Sequence, residues 1–95
     1  MRHYELVAII NPEVDEEEMS RIIEELGKSI CDRGGVIDRT DTWGKRKLAY
    51  PIKKFMEGNY ILTRFELESS LVKELEANLR ASEEILRYLV VKVGD

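Results

Sequence analysis

Cysteine, histidine and proline are scarce in this chain of 95 residues, which has one cysteine, one histidine and two prolines. A single cysteine, Cys31, cannot form a disulfide within the chain, so we expect a reducing compartment. No Cys-x-x-Cys pair or group of four neighbouring ligands is present, and no structural metal site is expected. Cys31 and His3 are separated by a predicted strand and helix, with no activating motif for a nucleophile. An enzyme is therefore not expected.

Long apolar runs are also missing. The apolar stretch from Leu6 to Ile10 ends at Asn11-Pro12 and is followed by a block of acidic residues. A membrane span needs about 18 or more apolar residues, and a signal peptide has different flanks. No glycine pattern matches a phosphate-binding loop, and Gly34-Gly35 is better explained as the end of a helix. We expect a cytoplasmic protein with no membrane partner, no cofactor and no small-molecule substrate.

Charge is unevenly distributed along the chain. The net charge of −4 argues against a simple nucleic-acid binder, because phosphate contacts need lysine and arginine. Residues 13–25 contain seven acidic residues and one base, Arg21, whereas residues 45–54 contain five bases and no acid. The acidic run is typical of a capped helix start, with Asp15 as N-cap and Glu18 three residues later. The basic segment is the candidate contact surface.

Hydrophobic periodicity predicts two helices and four strands in a single domain over residues 1–95. Apolar residues at helical spacing predict a helix from Asp15 to Gly34, and a second helix begins at Ser69 or Ser70 and ends near Ala81. Alternating or β-branched stretches predict the strands, which are Tyr4–Ile10, Val36–Tyr50 with a bulge at Trp43-Gly44, Tyr60–Leu67 and Arg87–Val93. We expect the hairpin turn between the two middle strands at Glu57-Gly58-Asn59.

The order βαββαβ predicts an α+β, ferredoxin-like fold, with a four-stranded antiparallel sheet and two helices on one face. The other sheet face remains open. Alternation predicts that this open face carries Glu5, Val7, Ile9, Tyr60, Leu62, Arg64, Tyr88, Val90 and Lys92. The third strand, NYILTRFEL, lacks the glycine-aromatic signature of the RNA-recognition motif, so base stacking by that mechanism is not expected.

The basic segment surrounds apolar and aromatic residues, from Leu48 to Ile52, with cations. Cations in extended structure can contact phosphates, and a tyrosine can stack on an unpaired base or pack against a protein. A charged edge strand that only prevents aggregation has the same composition. The residue types alone leave these two interpretations equally open.

The order of several motifs resembles a known family, the bacterial small-subunit ribosomal proteins numbered six. The motifs are Met1-Arg2 followed by Tyr4-Glu5, Asn11-Pro12, Gly44-x-Arg46-x-Leu48-Ala49-Tyr50-Pro51-Ile52-x-Lys54 with Gly58 after it, Leu79-Arg80, and Leu86-Arg87-x-Leu89-Val90-Val91-Lys92. The resemblance covers essentially the whole chain. It implies a structural constituent of the small ribosomal subunit that binds the central domain of 16S ribosomal RNA together with the small-subunit ribosomal protein numbered eighteen.

The resemblance also implies contact residues. Basic positions of the family motifs are Arg2, Arg46, Lys54, Arg87 and Lys92, which become the leading RNA-contact candidates, and Lys45, Lys47 and Lys53 join them on charge alone. Candidate contacts to the protein partner are Tyr50, Ile52, Tyr60 and Tyr88. Because the chain is acidic, we expect weak RNA binding by the free protein and cooperative binding with a basic partner.

Two other functions fit the predicted fold. A protein-only module would use the apolar open face for oligomerisation or regulation, without RNA. A small enzyme of the acylphosphatase type would need an anion-binding loop, and the sequence offers no suitable one.

Overall fold

The computed structural model describes residues 1–94, which form four strands, two α-helices and one 3₁₀ turn. In chain order these are β1 (Arg2–Ile10), α1 (Glu16–Cys31), β2 (Val36–Ile52), β3 (Phe55–Leu67), the 3₁₀ turn Ser69–Leu71, α2 (Val72–Ala81) and β4 (Ile85–Val93).

All four strands form one antiparallel sheet with the order β2-β3-β1-β4. The two helical crossovers place β1 and β3 in the centre and leave β2 and β4 at the edges. The predicted α+β, ferredoxin-like βαββαβ plan is therefore confirmed.

The core lies between the sheet and the two helices. The buried residues of α1 are Ile22, Leu26 and Ile30, and those of α2 are Leu75 and Leu79. They pack against alternate residues of the central strands, which are Tyr4, Leu6, Ala8 and Ile10 in β1 and Ile61, Thr63, Phe65 and Leu67 in β3. The intervening residues of β1 and β3 point to the open face, as their alternation predicts.

Helix α1 begins as its sequence predicts, and it ends at Cys31, in the turn that leads to the predicted stop at Gly34. An oxygen of the Asp15 carboxylate accepts a hydrogen bond from the backbone N–H of Glu18 at 2.8 Å, which is the predicted N-cap contact. At the other end, Gly34 adopts a φ of +80°, a value that favours glycine, and the N–H of Gly35 donates to the carbonyl of Ile30 at 3.0 Å.

The start of α2 differs from its prediction. Ser69 lies in the 3₁₀ turn, Leu71 occupies the N-cap position of α2, and no side chain caps the helix. The predicted end is correct, because Ser82 is the C-cap.

The predicted turn of the central hairpin is wrong. Glu57, Gly58 and Asn59 belong to β3 and pair with β2, and the turn consists of Lys53 and Lys54 between the paired residues Ile52 and Phe55. Gly58 lies inside the strand, at a position where only glycine fits. A Cβ there would lie 2.3 Å from Ile9 Cγ2, because the Ile9 side chain occupies that space. The hairpin is therefore longer than predicted.

The predicted face of β4 is also wrong. Tyr88, Val90 and Lys92 pair with Ala8, Leu6 and Tyr4, so they share the helix-covered side of the sheet. The open-face residues of β4 are Arg87, Leu89, Val91 and Val93. Apolar residues occupy both rows of this edge strand, so alternation alone could not decide which row faces the core.

Within residues 1–94, no helix has the length and apolar character needed to span a membrane.

Candidate nucleic-acid interface

The turn of the β2–β3 hairpin presents two adjacent lysines. Lys53 and Lys54 have φ values of 49° and 75°, and they link the paired residues Ile52 and Phe55. Positive φ at both central residues is typical of the two-residue turns that follow the right-handed twist of a hairpin. This turn projects both ammonium groups from the end of the hairpin.

The end of the hairpin curls over the open face of the sheet as far as β4. The Arg87 guanidinium donates a hydrogen bond to the Tyr50 hydroxyl, and its carbon lies 5.6 Å from the centre of the Tyr50 ring. Because β2 and β4 are opposite edges of the sheet, separated by about 14 Å at ordinary strand spacing, this contact requires β2 to bend across β3 and β1. Leu48 is buried in the bend.

Cations from three elements meet where the hairpin reaches β4. Lys53 of the turn, Arg80 at the end of α2 and Arg87 of β4 line one depression of about 240 Å³. Arg80 is held in place because its guanidinium donates to the Tyr88 hydroxyl at 2.9 Å, and that hydroxyl donates to Glu76 at 3.2 Å. We call Lys53, Lys54, Arg80 and Arg87 the cationic end.

An aromatic stack lies next to the cationic end on the open face. The rings of Trp43 and Tyr60 are nearly parallel, with centres 6.2 Å apart, and the Arg46 guanidinium lies 5.8 Å from the Trp43 ring. The pairing register shifts between Thr42 and Gly44, as predicted, and the resulting bulge places Trp43 beside Tyr60. A cation–π contact of this kind attracts the guanidinium to the face of the ring.

Lys45 and Lys47 lie on the other side of the hairpin from Arg46. They pair with Asn59 and Glu57, whereas Arg46 pairs with Gly58. Side chains alternate between the two sides of a strand, so these lysines cannot contact the same ligand surface as Arg46 in a straight strand. Glu57 also places a negative charge opposite Lys47.

Arg2 and Lys92 lie at the opposite end of the sheet from the cationic end. Arg2 pairs with Leu67 and Lys92 pairs with Tyr4, while Arg87 pairs with Ile9. Ile9 lies seven positions after Arg2, which corresponds to roughly 23 Å in an extended strand. The eight RNA-contact candidates therefore form two groups, and Arg87 belongs to the hairpin group.

The four candidate partner contacts also separate. Tyr50 is 55% exposed and lies on the curled hairpin together with Ile52. Tyr60 lies on the open face in the aromatic stack. Tyr88 instead packs against the core, and its hydroxyl bonds to Arg80 and Glu76. Tyr88 is not on the open face.

Comparison with known proteins connects this arrangement to one family. The family model described as ribosomal protein S6 matches residues 3–92. The chain belongs to the ribosomal protein S6 family. It is 43% identical over 95 residues to the small ribosomal subunit protein bS6 of Caldanaerobacter subterraneus subsp. tengcongensis, with full coverage of both chains. The bS6 protein of Clostridium novyi is 44% identical over 91 residues, covering 96% of each chain.

The fold agrees with a solved member of the S6 family. The crystal structure of ribosomal protein S6 from Thermotoga maritima superposes with a TM-score of 0.91 at 40% identity, covering 96% of this chain and 86% of the other. The resemblance found from the sequence motifs is confirmed. Because S6 proteins are structural ribosomal proteins, the expectation that the chain is not an enzyme is confirmed as well.

Two residues of the candidate interface do not follow from the sequence patterns. Arg80 follows Leu79 in a motif of the S6 family, but only the curled hairpin brings it beside Lys53. The sequence predicts Trp43 as part of a bulge, and in the structure the Trp43 ring also stacks on Tyr60 and contacts the Arg46 guanidinium. A lone tryptophan next to glycine in a strand is the signal that could have identified this position.

Proposed function

We propose that this protein is a structural constituent of the small ribosomal subunit that binds the central domain of 16S ribosomal RNA cooperatively with the ribosomal protein numbered eighteen. The observation that carries the proposal is the cationic end, where three separate elements direct positive charge to one place. Such a protein works in the cytoplasm as part of the subunit.

Phosphate contact is the first step of the proposed mechanism. The turn lysines project from the hairpin, and Arg80 and Arg87 are held by tyrosine hydroxyls that leave further guanidinium N–H groups for a ligand. A guanidinium can bind a phosphate through two parallel hydrogen bonds, and a lysine adds a point charge. These groups fix the position of the protein on folded RNA without reading its sequence.

The open face supports contact with a protein partner. Leu89, Val91 and Val93 of β4 are 61%, 45% and 43% exposed, and they form one row with neighbours in β1. Exposed apolar rows of this kind are typical of interaction surfaces. Tyr50 and Tyr60 border the row from the hairpin side, which makes them the better partner candidates among the tyrosines.

Net charge explains why the partner is needed. The chain carries −4 overall, and the acids of α1 begin at its first turn, Glu16 to Glu18. Helix α1 covers the face opposite to the open face, so its charge is directed away from an RNA bound near the hairpin. A basic partner supplies additional positive potential and orders the contact surface before RNA binds.

The test measures binding of a central-domain RNA fragment over a salt series, with and without the partner. We expect the partner to tighten binding, and Lys53→Gln/Lys54→Gln to weaken it and to flatten its salt dependence. Lys28→Gln/Lys73→Gln is the matched control, because it removes the same charge from exposed positions of α1 and α2. Equal binding with and without the partner would contradict the cooperative mechanism.

A protein-only interaction module is the second candidate, and the exposed row of β4 favours it. In that case charge reversal at Arg46 and Arg87 would leave the association of the protein unchanged. Sedimentation of cell extract separates the two functions, because a ribosomal constituent appears in the small-subunit peak and a protein-only module does not.

A further inference from the structure

Three potential metal ligands converge on the open face near the chain start. The donor atoms of His3, Asp38 and Glu66 all lie within 4.8 Å of one another, and His3 Nδ1 lies 3.9 Å from Asp38 Oδ2. These residues are far apart in sequence and lie on three neighbouring strands, β1, β2 and β3. Sequence spacing alone therefore gave no indication of a metal site.

Backbone pairing accounts for the convergence. His3 and Glu66 are directly opposed in the β1–β3 register, and opposed side chains point to the same face with Cβ atoms about 5 Å apart. Asp38 lies in a register shift between Ile37 and Arg39. A bulge of this kind redirects the side chain of the additional residue, and here it brings the Asp38 carboxylate beside the imidazole.

The surrounding cations are engaged with other acids. Arg39 contacts Asp41 at 2.9 Å, and Arg64 contacts Glu5 at 2.7 Å. With a neutral imidazole, the two carboxylates of the cluster give it a formal charge of about −2, because each ionised carboxylate carries one negative charge. A divalent cation would balance that charge.

We propose that His3, Asp38 and Glu66 bind a divalent transition-metal ion, for which zinc(II) is the best match. One imidazole nitrogen and two carboxylate oxygens are three suitable zinc ligands, and the solvent side leaves the fourth position for water. Oxygen ligands alone would suit magnesium or calcium, whereas the imidazole favours zinc. The site goes beyond the proposed function, since none of its residues is an RNA-contact candidate.

The geometry requires a small adjustment of the side chains. Zinc–ligand bonds of about 2.1 Å place tetrahedral donor atoms roughly 3.4 Å apart, so His3 Nδ1 and Asp38 Oδ2 must approach by about 0.5 Å and no pair of donors by more than about 1.4 Å. His3 and Asp38 are exposed, with 61% and 41% of their side-chain surfaces accessible, and can rotate to close this gap. The three ligands lie close together only in the folded state, so an ion bound to them stabilises the fold.

Zinc titration of the untagged, full-length protein tests the site. The thiol of Cys31 is exposed and a thiolate is itself a metal ligand, so every variant carries Cys31→Ser to remove this competing ligand. We expect one zinc ion per chain, a higher Tm with zinc, and at least about tenfold weaker binding in each of His3→Ala, Asp38→Asn and Glu66→Gln. Glu57→Gln is the matched control, because it removes an exposed carboxylate from the far end of the same strand, β3.

NMR of the imidazole gives a second readout that does not depend on affinity. The chain has a single histidine, so every imidazole signal belongs to His3. We expect zinc to shift these signals at one equivalent and to leave them unchanged in the double variant Asp38→Asn/Glu66→Gln. Zinc binding that survives His3→Ala, or that needs His3 but neither carboxylate, would overturn the three-ligand site, as would the absence of binding at millimolar zinc.

Discussion

At the scale of single residues, Gly58 shows how one missing side chain shapes the hairpin. A Cβ at this position would lie 2.3 Å from Ile9 Cγ2 and 3.7 Å from a methyl carbon of Leu48. Glycine ordinarily weakens a strand, and here it allows the side chain of Ile9 to lie against the backbone of β3. The close approach lets the end of the hairpin cover the open face and bury Leu48.

Gly58→Ala should therefore destabilise the protein, by about 1–3 kcal/mol as in other overpacked interiors. The measurement is urea denaturation, and Ile9→Ala in the same chain should recover part of the loss because it removes the clashing methyl group. Gly27→Ala is the control, since a Cβ there meets nothing within 4 Å and alanine favours the helix. Equal effects of the two alanine substitutions would contradict this explanation.

The turn lysines combine a conformational cost with a proposed function. Lys53 and Lys54 hold positive φ values that cost non-glycine residues about 1 kcal/mol or more each. Asn-Gly is the preferred pair in such a turn, so Lys53→Asn/Lys54→Gly should raise the free energy of unfolding, by about 1 kcal/mol, and weaken RNA binding. Lys53→Gln/Lys54→Gln should weaken RNA binding without raising stability. Unchanged RNA affinity in both variants would show that the turn lysines are not part of the proposed interface.

At the scale of whole elements, the sequence predicts all four strands and both α-helices, but not where the β2–β3 hairpin turns or how its end curls over the sheet. Periodicity located β1, α1 and the end of α2, because each has one clearly apolar face. Because Gly58 lies between polar residues, the local pattern predicts a turn there. In the structure a glycine is needed at this position because the side chain of Ile9, 49 positions earlier in the sequence, lies against it. Local patterns cannot report such a distant contact.

The sequence predicts most of the basic residues of the candidate site, but not how the fold brings them together. The basic residues of the hairpin were recognised from charge and motif, yet their meeting with Arg80 depends on the curl of β2 across the sheet. In β4 apolar residues occupy both rows, so alternation could not assign Arg87 to the open face and Tyr88 to the core. Pairing with β1 decides both placements.

The loop between α2 and β4 makes stability depend on pH. The Glu84 carboxylate accepts hydrogen bonds from its own backbone N–H and from the Ser82 hydroxyl, whose Oγ lies 3.1 Å from Glu84 Oε1. These bonds hold the pKa of Glu84 below its ordinary value, and the positive charge of Arg21 lowers it further. A lowered pKa in the folded state contributes stability that is fully present above the unfolded pKa, about 4.3, and is lost as the pH falls through the folded value.

Glu84→Gln should therefore lower the free energy of unfolding at pH 7, by less than about 1 kcal/mol because the group is partly exposed. The difference from the unmodified protein should shrink as the pH is reduced from 5 toward 3 in urea titrations. Glu83→Gln, a change at the exposed neighbouring carboxylate, is the control. A difference that stays constant over this pH range would exclude the carboxylate as its cause.

At the scale of the whole molecule, the candidate RNA-contact cations lie toward two ends of the sheet. The cationic end and the pair Arg2 and Lys92 are separated by roughly 23 Å along β1, which is more than twice the Debye length of about 8 Å at physiological salt. Each end therefore acts on its own surroundings. The acidic α1 lies on the helix-covered side, whereas Arg87 and the aromatic stack lie on the open face, so an RNA that approaches the open face near the hairpin meets these groups first.

Neutralising two cations at one end or at the other distinguishes the effect of their position on RNA binding from the effect of net charge. Lys53→Gln/Lys54→Gln and Arg2→Gln/Lys92→Gln change the net charge equally, but we expect the hairpin pair to lower the salt dependence of RNA binding more, because Arg2 and Lys92 share the helix-covered side. Each lost contact to duplex phosphate reduces the slope of log K against log salt by about 0.9. Combining both pairs should give additive losses in binding free energy, since the sites are far apart. Equal slopes for the two pairs would show that net charge, and not the shape of the hairpin end, governs RNA binding.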